Sequence, residues 1–136
     1  MSSISTIALS GMNAAVRRLE VSASNVANVL STGALANADG AVPAGAPRPY
    51  APLELVQTAS AGGGTQTTAT TATPSSTAVS DPQAPFADQN GLVAAPNVDL
   101  SQELVGQMIA SYSFAANAAV MKADDSMTKS LLDVTA

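Results

Sequence analysis

The stretch NVDLSQELVGQMIASYSFAANAAVMKADDSMTKSLLDV, residues 97–134, decides the fold, because its apolar residues recur with the period of an α-helix. No proline interrupts it, and Asp99, or Ser101 slightly later, is suited to cap the free N–H groups at its start. At about 1.5 Å per residue the helix would be roughly 55 Å long, so we expect it to find partners along its length. Its apolar face, the C-terminal stripe, consists of Val105, Ile109, Tyr112, Ala116, Val120, Ala123, Met127, Leu131 and Val134.

A second helical pattern occupies the N-terminus from Ser2 to about Val29, with Ser2 or Ser3 available as its N-cap. Gly11 interrupts this pattern at a cost of about 1 kcal/mol relative to Ala, so the helix needs packing partners. Its stripe is narrow and contains small residues, which let another helix approach closely: Ile4, Ala8, Met12, Ala15, Leu19, Ser22, Val26 and Val29. The pattern predicts a mainly α fold, in which long N- and C-terminal helices pack as an antiparallel helical hairpin or coiled coil.

The middle of the chain is expected to be irregular, with little or short β structure. Four prolines between 43 and 52 favour extended backbone, and residues 53–57 can form a short strand. Residues 58–80 are rich in Thr, Ser, Ala and Gly and predict a flexible surface loop. Asn90-Gly91 before Leu92-Val93 is a hairpin signal. The chain therefore divides into an N-terminal helix (1–33), an irregular middle (34–96) and a C-terminal helix (97–136).

The composition leaves little material for a globular core or for chemistry. Apolar residues make up 46% of the chain, but many are alanines, and only 3% are aromatic, so we expect an isolated monomer that is weakly folded and gains order on assembly. The chain has no Cys, His or Trp, which argues against zinc sites and most enzyme classes, and we predict no catalytic, cofactor or metal residues. A net charge of −5 without a basic patch disfavours nucleic acid. No run of 18 apolar residues and no secretory signal is present, so we expect neither membrane insertion nor cleavage of a signal peptide.

Polar clusters in the chain have ordinary structural explanations. Adjacent helical residues such as Asp124 and Asp125 point about 100° apart, so we expect both on a solvated face and no paired-carboxylate chemistry. Asp88, Asn90 and Asp99 lack the spacing of a calcium-binding loop and indicate turns. The glycines at 62–64 are a linker and not a phosphate-binding loop, because no lysine follows them.

Motifs at both ends of the chain carry a resemblance to a known family. The N-terminal motifs are ALSGMNA (8–14), RLEV (18–21) and ASNVAN (23–28), and the C-terminal ones are NVDL (97–100), YSFAAN (112–117) and VMKA (120–123). Together they resemble the bacterial flagellar rod and hook proteins, and the length and the run ADQNGLV (87–93) resemble the small proximal-rod subunits of that family. The resemblance covers about 80 residues at the two ends and not the middle.

The resemblance implies a structural rod subunit without enzymatic activity, exported by the flagellar type III apparatus without a cleaved signal and assembled in the periplasmic basal body. Its partners would be copies of itself, other rod proteins and the export apparatus, with no small-molecule substrate or cofactor. We expect the two apolar stripes to pack on each other, with small residues such as Gly11 and Ala116 allowing close approach. The expected assembly interface is Ile4, Leu9, Gly11, Met12, Leu19, Asn25, Val26, Asn28, Val98, Val105, Ile109, Tyr112, Ala116, Asn117, Val120, Met127 and Leu131.

Two alternatives to a proximal-rod subunit stay open at the level of sequence. The chain could be a soluble helical-hairpin binding or chaperone-like protein of a secretion system, which would be a stable monomer or dimer. It could also be a divergent paralogue of another rod or hook subunit, although longer relatives carry inserted β-domains for which this chain has no residues.

Overall fold

A computed structural model describes residues 3–37 and 39–135 and contains two long helices separated by four strands. The elements are α1 (Ser3–Ala27), β1 (Leu53–Ala59), β2 (Thr65–Thr71), β3 (Ser76–Ser80), β4 (Leu92–Pro96) and α2 (Leu100–Thr135). The expected arrangement of two terminal helices around a middle with short β structure is confirmed at this level. The alternative cap Ser2 lies outside the described residues.

The contacts divide the chain into two compact units, which are described separately. Unit 1 comprises Met1–Val21, Leu55–Ala69 and Leu104–Ala136, and unit 2 comprises Ser22–Glu54 and Thr70–Glu103. Unit 1 draws residues from all three segments that the sequence predicts, and so does unit 2.

Side-chain and backbone hydrogen bonds define the start of α2 and the end of α1. The Asp99 carboxylate accepts hydrogen bonds from the backbone N–H groups of Ser101 (2.8 Å) and Gln102 (3.1 Å), which confirms it as the N-cap of α2. At the end of α1, the Asn28 side-chain amide donates to the Ser24 carbonyl at 2.9 Å. The Asn28 carbonyl accepts from the Ser31 N–H at 2.9 Å, which turns the chain out of the helix.

The segment 58–80, expected to be a flexible loop, instead contains part of β1 and all of β2 and β3. β1 also includes the predicted strand at 53–57, and it pairs with β2. The glycine run forms the turn between them: the Ser60 N–H donates to the Gly64 carbonyl at 3.1 Å, and Gly63 and Gly64 have φ of 86° and 84°. Composition misled the prediction because β-branched Thr favours strands even where few side chains are buried.

The second sheet pairs β3 with β4 in antiparallel register, with Val79 opposite Val93. Gly91, at φ 74°, accepts from the Asp81 N–H at 2.9 Å and closes the connection between the strands. The Asn90-Gly91 signal therefore marks a real turn, but the partner of β4 is the distant β3. β4 lies at the centre of the unit 2 core, where Val93 is fully buried.

The helix α2 is long and apolar enough, by length and composition alone, to cross a membrane. Its most apolar 18-residue window has a mean hydropathy of 1.2, with 6% of that window buried inside the chain. The sequence-based expectation rested on uninterrupted apolar runs, whereas this average tolerates interspersed Ser, Gln and Asn. Length and composition are weak evidence, because a helix that packs on protein partners can have the same average.

Candidate assembly surface

Within unit 1, α1 and α2 meet through small and polar side chains, which we call the seam. The Ser5 hydroxyl donates to the Asp124 carboxylate at 2.5 Å, and both residues are buried. A Cβ added to Gly11 would lie 2.5 Å from the side-chain oxygen of Asn117, so the helices approach closely there. Further along α1, Ala15 borders the same groove as Ala110, and both are buried. Residue numbers along the seam thus rise in α1 as they fall in α2.

The seam corrects the expectation that Asp124 and Asp125 share a solvated face. Asp125 is exposed, but Asp124 is only 7% exposed and bonded to Ser5. The reason is the rotation of about 100° between successive helical residues, which points one carboxylate at α1 and the other at solvent. A hydrophobicity pattern does not mark such a position, because the inward residue is itself charged.

The C-terminal stripe faces away from the seam. Seam positions on α2 include Ala110, Asn117 and Asp124. The stripe residues Ile109, Ala116 and Ala123 each come one position before a seam residue, so they are rotated about 100° around the helix from the seam. All six large apolar members of the stripe that we assigned to the interface are exposed, from Ile109 at 47% to Tyr112 at 75%, and Ala116 is exposed with them. The expected pairing of the two apolar stripes is therefore not made within the chain and stays a prediction for contacts between chains.

Apart from the buried Asn25, the N-terminal interface residues are exposed or half-buried. Ile4, Leu9 and Leu19 are exposed, whereas Gly11, Met12 and Val26 are half-buried, as is Val98 before α2.

Beside the seam, unit 1 has an open apolar groove of about 290 Å³. The groove is lined by Ala15, Val16 and Leu19 of α1 and by Ala110, Ser111 and Phe114 of α2.

Asn25 belongs to the interior of unit 2 and not to its surface, because it is 2% exposed. Its amide donates to the Leu53 carbonyl at 2.9 Å and to the Glu103 carboxylate at 2.6 Å. Its side-chain oxygen accepts from the Leu53 N–H at 2.9 Å and from the Tyr50 hydroxyl at 3.1 Å. Within the chain, Asn25 ties together the end of α1, the start of β1 and the start of α2, and its role in subunit contacts stays a prediction. Asn28 is half-buried and caps α1.

The β1–β2 hairpin lies against α1 in unit 1, a contact that the sequence did not reveal. The Ser10 hydroxyl accepts from the Thr65 N–H at 3.1 Å and donates to the Ile7 carbonyl at 2.7 Å. Two turns further, the Arg18 guanidinium donates to the side-chain oxygen of Gln57 at 3.2 Å. Ser10 and Arg18 are two helical turns apart, so this face of α1 is already covered by its own chain.

Charges in the described residues are sparse and serve local structure. Arg17 and Glu20 form an exposed ion pair at 2.9 Å on α1. Hydrogen bonds to its carboxylate from the backbone N–H of Leu92, and then from Asn90, lower the pKa of Asp88 below its ordinary value of 3.8. This geometry supports a turn at 88–92, and no group of three or more His, Cys, Asp or Glu residues able to hold a metal lies in the described ranges.

Comparisons with known proteins match both helical ends. The family described as flagella basal body rod protein matches residues 6–34, and the family described as flagellar basal body rod FlgEFG protein C-terminal matches residues 89–134. The flagellar basal-body rod protein FlgC of Salmonella typhimurium (strain LT2) is 35% identical over 127 residues, which cover 89% of this chain and 87% of the relative. The same protein of Salmonella typhi gives the same identity and coverage.

Proposed function

From the premise that this chain belongs to the flagellar basal-body rod protein family, we propose that it assembles into the proximal rod through the exposed apolar faces of α1 and α2. It is a structural subunit of the basal body, and its relatives are rod proteins, not enzymes.

The observation that carries the proposal is the exposure of the C-terminal stripe. A helix of 36 residues contacts α1 through small and polar side chains and leaves Val105, Tyr112 and Leu131 at least half exposed. An apolar surface of this length is costly in water and marks an interaction site, and burial by neighbouring subunits removes the cost. The stripe therefore serves contacts between chains.

The same contacts support an antiparallel helical hairpin as the unit that assembles. Ser5 meets Asp124, Gly11 meets Asn117, and Ala15 borders the same groove as Ala110. Successive partners in α1 and α2 run in opposite directions. Polar groups buried at a helix seam can define its register, which leaves the apolar faces free to bind neighbours as in a coiled-coil tube.

Its partners in this proposal are copies of itself and other rod proteins in the periplasmic part of the basal body. It reaches them through the flagellar export apparatus without a cleaved signal, as a chain with few large buried side chains that gains stability on assembly. The polar seam on α2, including Asn117 and Asp124, fits packing against protein better than insertion into lipid. A soluble chaperone-like hairpin is the less favoured alternative.

Two neighbouring alanines of α2 supply a matched test. Ala115 and Ala116 are both exposed, but only Ala116 lies on the stripe. In a strain that lacks the chain, Ala116→Asp should abolish swimming and basal-body rods while export continues, because a carboxylate would enter an apolar interface. Ala115→Asp adds the same charge one residue away and should support swimming. Equal swimming by the two strains would overturn the proposal.

A second measurement separates the proposal from the soluble alternative. Helicity of the purified chain by circular dichroism should rise with concentration, together with its sedimentation coefficient, because assembly stabilises the helices. A stable, fully helical monomer that does not associate would favour the binding-protein alternative.

A further inference from the structure

The dipeptide Asn90-Gly91 joins an exposed side-chain amide to a residue that has no side chain. The asparagines of the sequence are Asn13, Asn25, Asn28, Asn37, Asn90, Asn97 and Asn117. Asn90 is the one that precedes glycine, and the others precede Ala or Val. Without a Cβ, the backbone nitrogen of Gly91 is open to close approach. The Asn90 side chain is exposed, so water and base reach it.

These two residues are the reactants of an intramolecular rearrangement. Once a base removes the proton of the Gly91 N–H, the nitrogen attacks the side-chain carbonyl carbon of Asn90. A ring C–N bond forms, the bond from that carbon to the side-chain nitrogen breaks, and ammonia leaves with a proton from water. Water then opens the cyclic imide at either carbonyl and gives aspartate or isoaspartate. The net reaction consumes water and releases ammonia, and it needs no further reactant.

In the structure, Asp88 forms hydrogen bonds to both reacting groups. Its carbonyl accepts the Gly91 N–H at 3.0 Å, so the proton that must leave is held in a hydrogen bond. Its carboxylate accepts the Asn90 backbone N–H at 2.8 Å and accepts from the departing side-chain nitrogen at 3.4 Å. A carboxylate here also opposes the negative charge that forms on the Gly91 nitrogen. The closed turn therefore slows the first step of the reaction.

Gly91 is also held by the strand connection behind the turn. Its carbonyl accepts from the Asp81 N–H at 2.9 Å, and a Cβ built on it would lie 3.0 Å from the Cβ of Pro82. Leu92, which follows, donates its N–H to the Asp88 carboxylate at 2.8 Å and accepts the Asp88 N–H at 2.9 Å. Rotation of Gly91 toward its reaction partner therefore requires that several hydrogen bonds open together.

We propose that Asn90 is a deamidation site that the closed turn protects and that reacts when the turn opens. This chemistry goes beyond the proposed function, because it needs neither a neighbouring subunit nor an export apparatus. The product impairs closure of the turn, since aspartate at position 90 places a second negative charge beside Asp88 and isoaspartate adds a methylene to the main chain. Deamidation therefore marks, irreversibly, those copies of the chain that have stayed unfolded for long.

Peptide mapping of the full chain by mass spectrometry, with fragmentation to assign the site, tests the protection. The purified chain is incubated at mildly alkaline pH with trimethylamine N-oxide, which favours the folded state, or with guanidinium chloride, which unfolds it. Circular dichroism follows the folded fraction. Replacement of the Asn90 amide by a carboxyl should be about tenfold slower in the osmolyte than in the denaturant, because the reaction requires the open turn.

Asn97 is the internal control, because it precedes the β-branched Val98. In denaturant it should react far more slowly than Asn90, since the valine side chain hinders the attacking nitrogen. An Asn90 rate that is the same in osmolyte and denaturant would overturn the proposal. Absence of reaction at Asn90 in denaturant would overturn it as well.

A second test removes the carboxylate and leaves both reactants in place. Asp88→Ala takes away the acceptor for the backbone N–H groups of Asn90 and Leu92. Compared with the parent at equal helicity, this variant should deamidate about tenfold faster in the osmolyte and at the same rate in denaturant. Asp39→Ala removes an exposed carboxylate from another turn and should leave the rate unchanged. A parental rate for Asp88→Ala in the osmolyte would contradict protection by the turn.

The effect of the product on the fold has its own matched pair of variants. Asn90→Asp introduces the charge of the product, and Asn90→Ser removes the amide without adding charge. Asn90→Asp should unfold at a lower urea concentration than Asn90→Ser, and the difference should shrink as salt is added, because salt screens repulsion between exposed carboxylates. Equal urea midpoints at low salt would overturn the inference that the product impairs the turn.

Discussion

Gly33 is a glycine at which an added side chain would meet main-chain atoms at very short distance. Its N–H donates to the Ala94 carbonyl at 2.9 Å, and the Ala94 N–H donates back to the Gly33 carbonyl at 2.8 Å, which joins the segment after α1 to β4 in unit 2. A Cβ added there would lie 2.6 Å from the Pro47 carbonyl oxygen and would overlap the backbone of Arg48 and Pro49. Gly33→Ala must therefore displace main chain.

The expected loss of stability follows from that overlap. Overpacking against atoms that cannot rotate away costs about 1–3 kcal/mol. Moving the backbone at Pro47 also lengthens the hydrogen bond that the Ala34 N–H donates to it at 2.8 Å, at a further cost of about 1 kcal/mol. A total of about 3 kcal/mol corresponds to a fall of about 10 °C in Tm for a chain of this size. With so thin a core, this is a large share of the whole stability.

Thermal unfolding followed by far-ultraviolet circular dichroism measures the effect, with Gly106→Ala as the matched control. A Cβ at Gly106 would meet no atom within 4 Å, so the same substitution in α2 should stabilise the chain by about 1 kcal/mol through helix propensity. Opposite shifts of the two variants are expected. A Gly33→Ala protein that melts at or above the parent temperature would refute the steric argument.

Three further predictions follow from side chains with defined partners. Asn25→Ala breaks four hydrogen bonds in a buried site and should cost about 3 kcal/mol by urea unfolding, whereas Asn13→Ala, exposed on the same helix, should change little. Gly11→Ala should leave the urea midpoint nearly unchanged, because the gain in helix propensity offsets the clash with Asn117. In a background that carries Asn117→Ala, the same Gly11→Ala change should raise the free energy of unfolding by about 1 kcal/mol, because the clash is gone. An equal effect of Gly11→Ala in both backgrounds would contradict this coupling. The lowered pKa of Asp88 means that its carboxylate stabilises the fold above the unfolded-state pKa and that this contribution is lost as pH falls through the folded-state value. Asp88→Asn should accordingly flatten the acid side of a stability profile between neutral pH and about pH 2, and an unchanged profile would contradict it.

The helices were predictable because their patterns are long and their caps are local, as at Asp99. Of the strands, β1 was predicted in part, at 53–57, but β2 and β3 were not, since Thr65–Thr71 buries little and composition alone suggested disorder. In the seam, the small residues Gly11 and Ala15 of α1 were expected, but its polar contacts were not predictable. Its members, among them Ser5, Asn117 and Asp124, carry no apolar periodicity, and their partners lie roughly 100 residues away in sequence. Asn25 gave no local signal, because its partners come from three separate segments.

Hydrophobic periodicity in α2 marks a surface that stays exposed and not the one that closes the fold. The helical spacing of apolar residues picks out Ile109, Val120 and Leu131, all of which stay exposed. The chain instead joins its helices through hydrogen bonds and small residues. Net hydrogen-bond energies are about 1 kcal/mol each, so such a seam defines register at little gain in stability. Most of the apolar surface of α2 is then still available to stabilise contacts between subunits. In the proposed assembly, the chain would unfold easily alone and be firmly held once neighbours cover its stripe, which is the stability relation that an exported, self-assembling rod subunit would require.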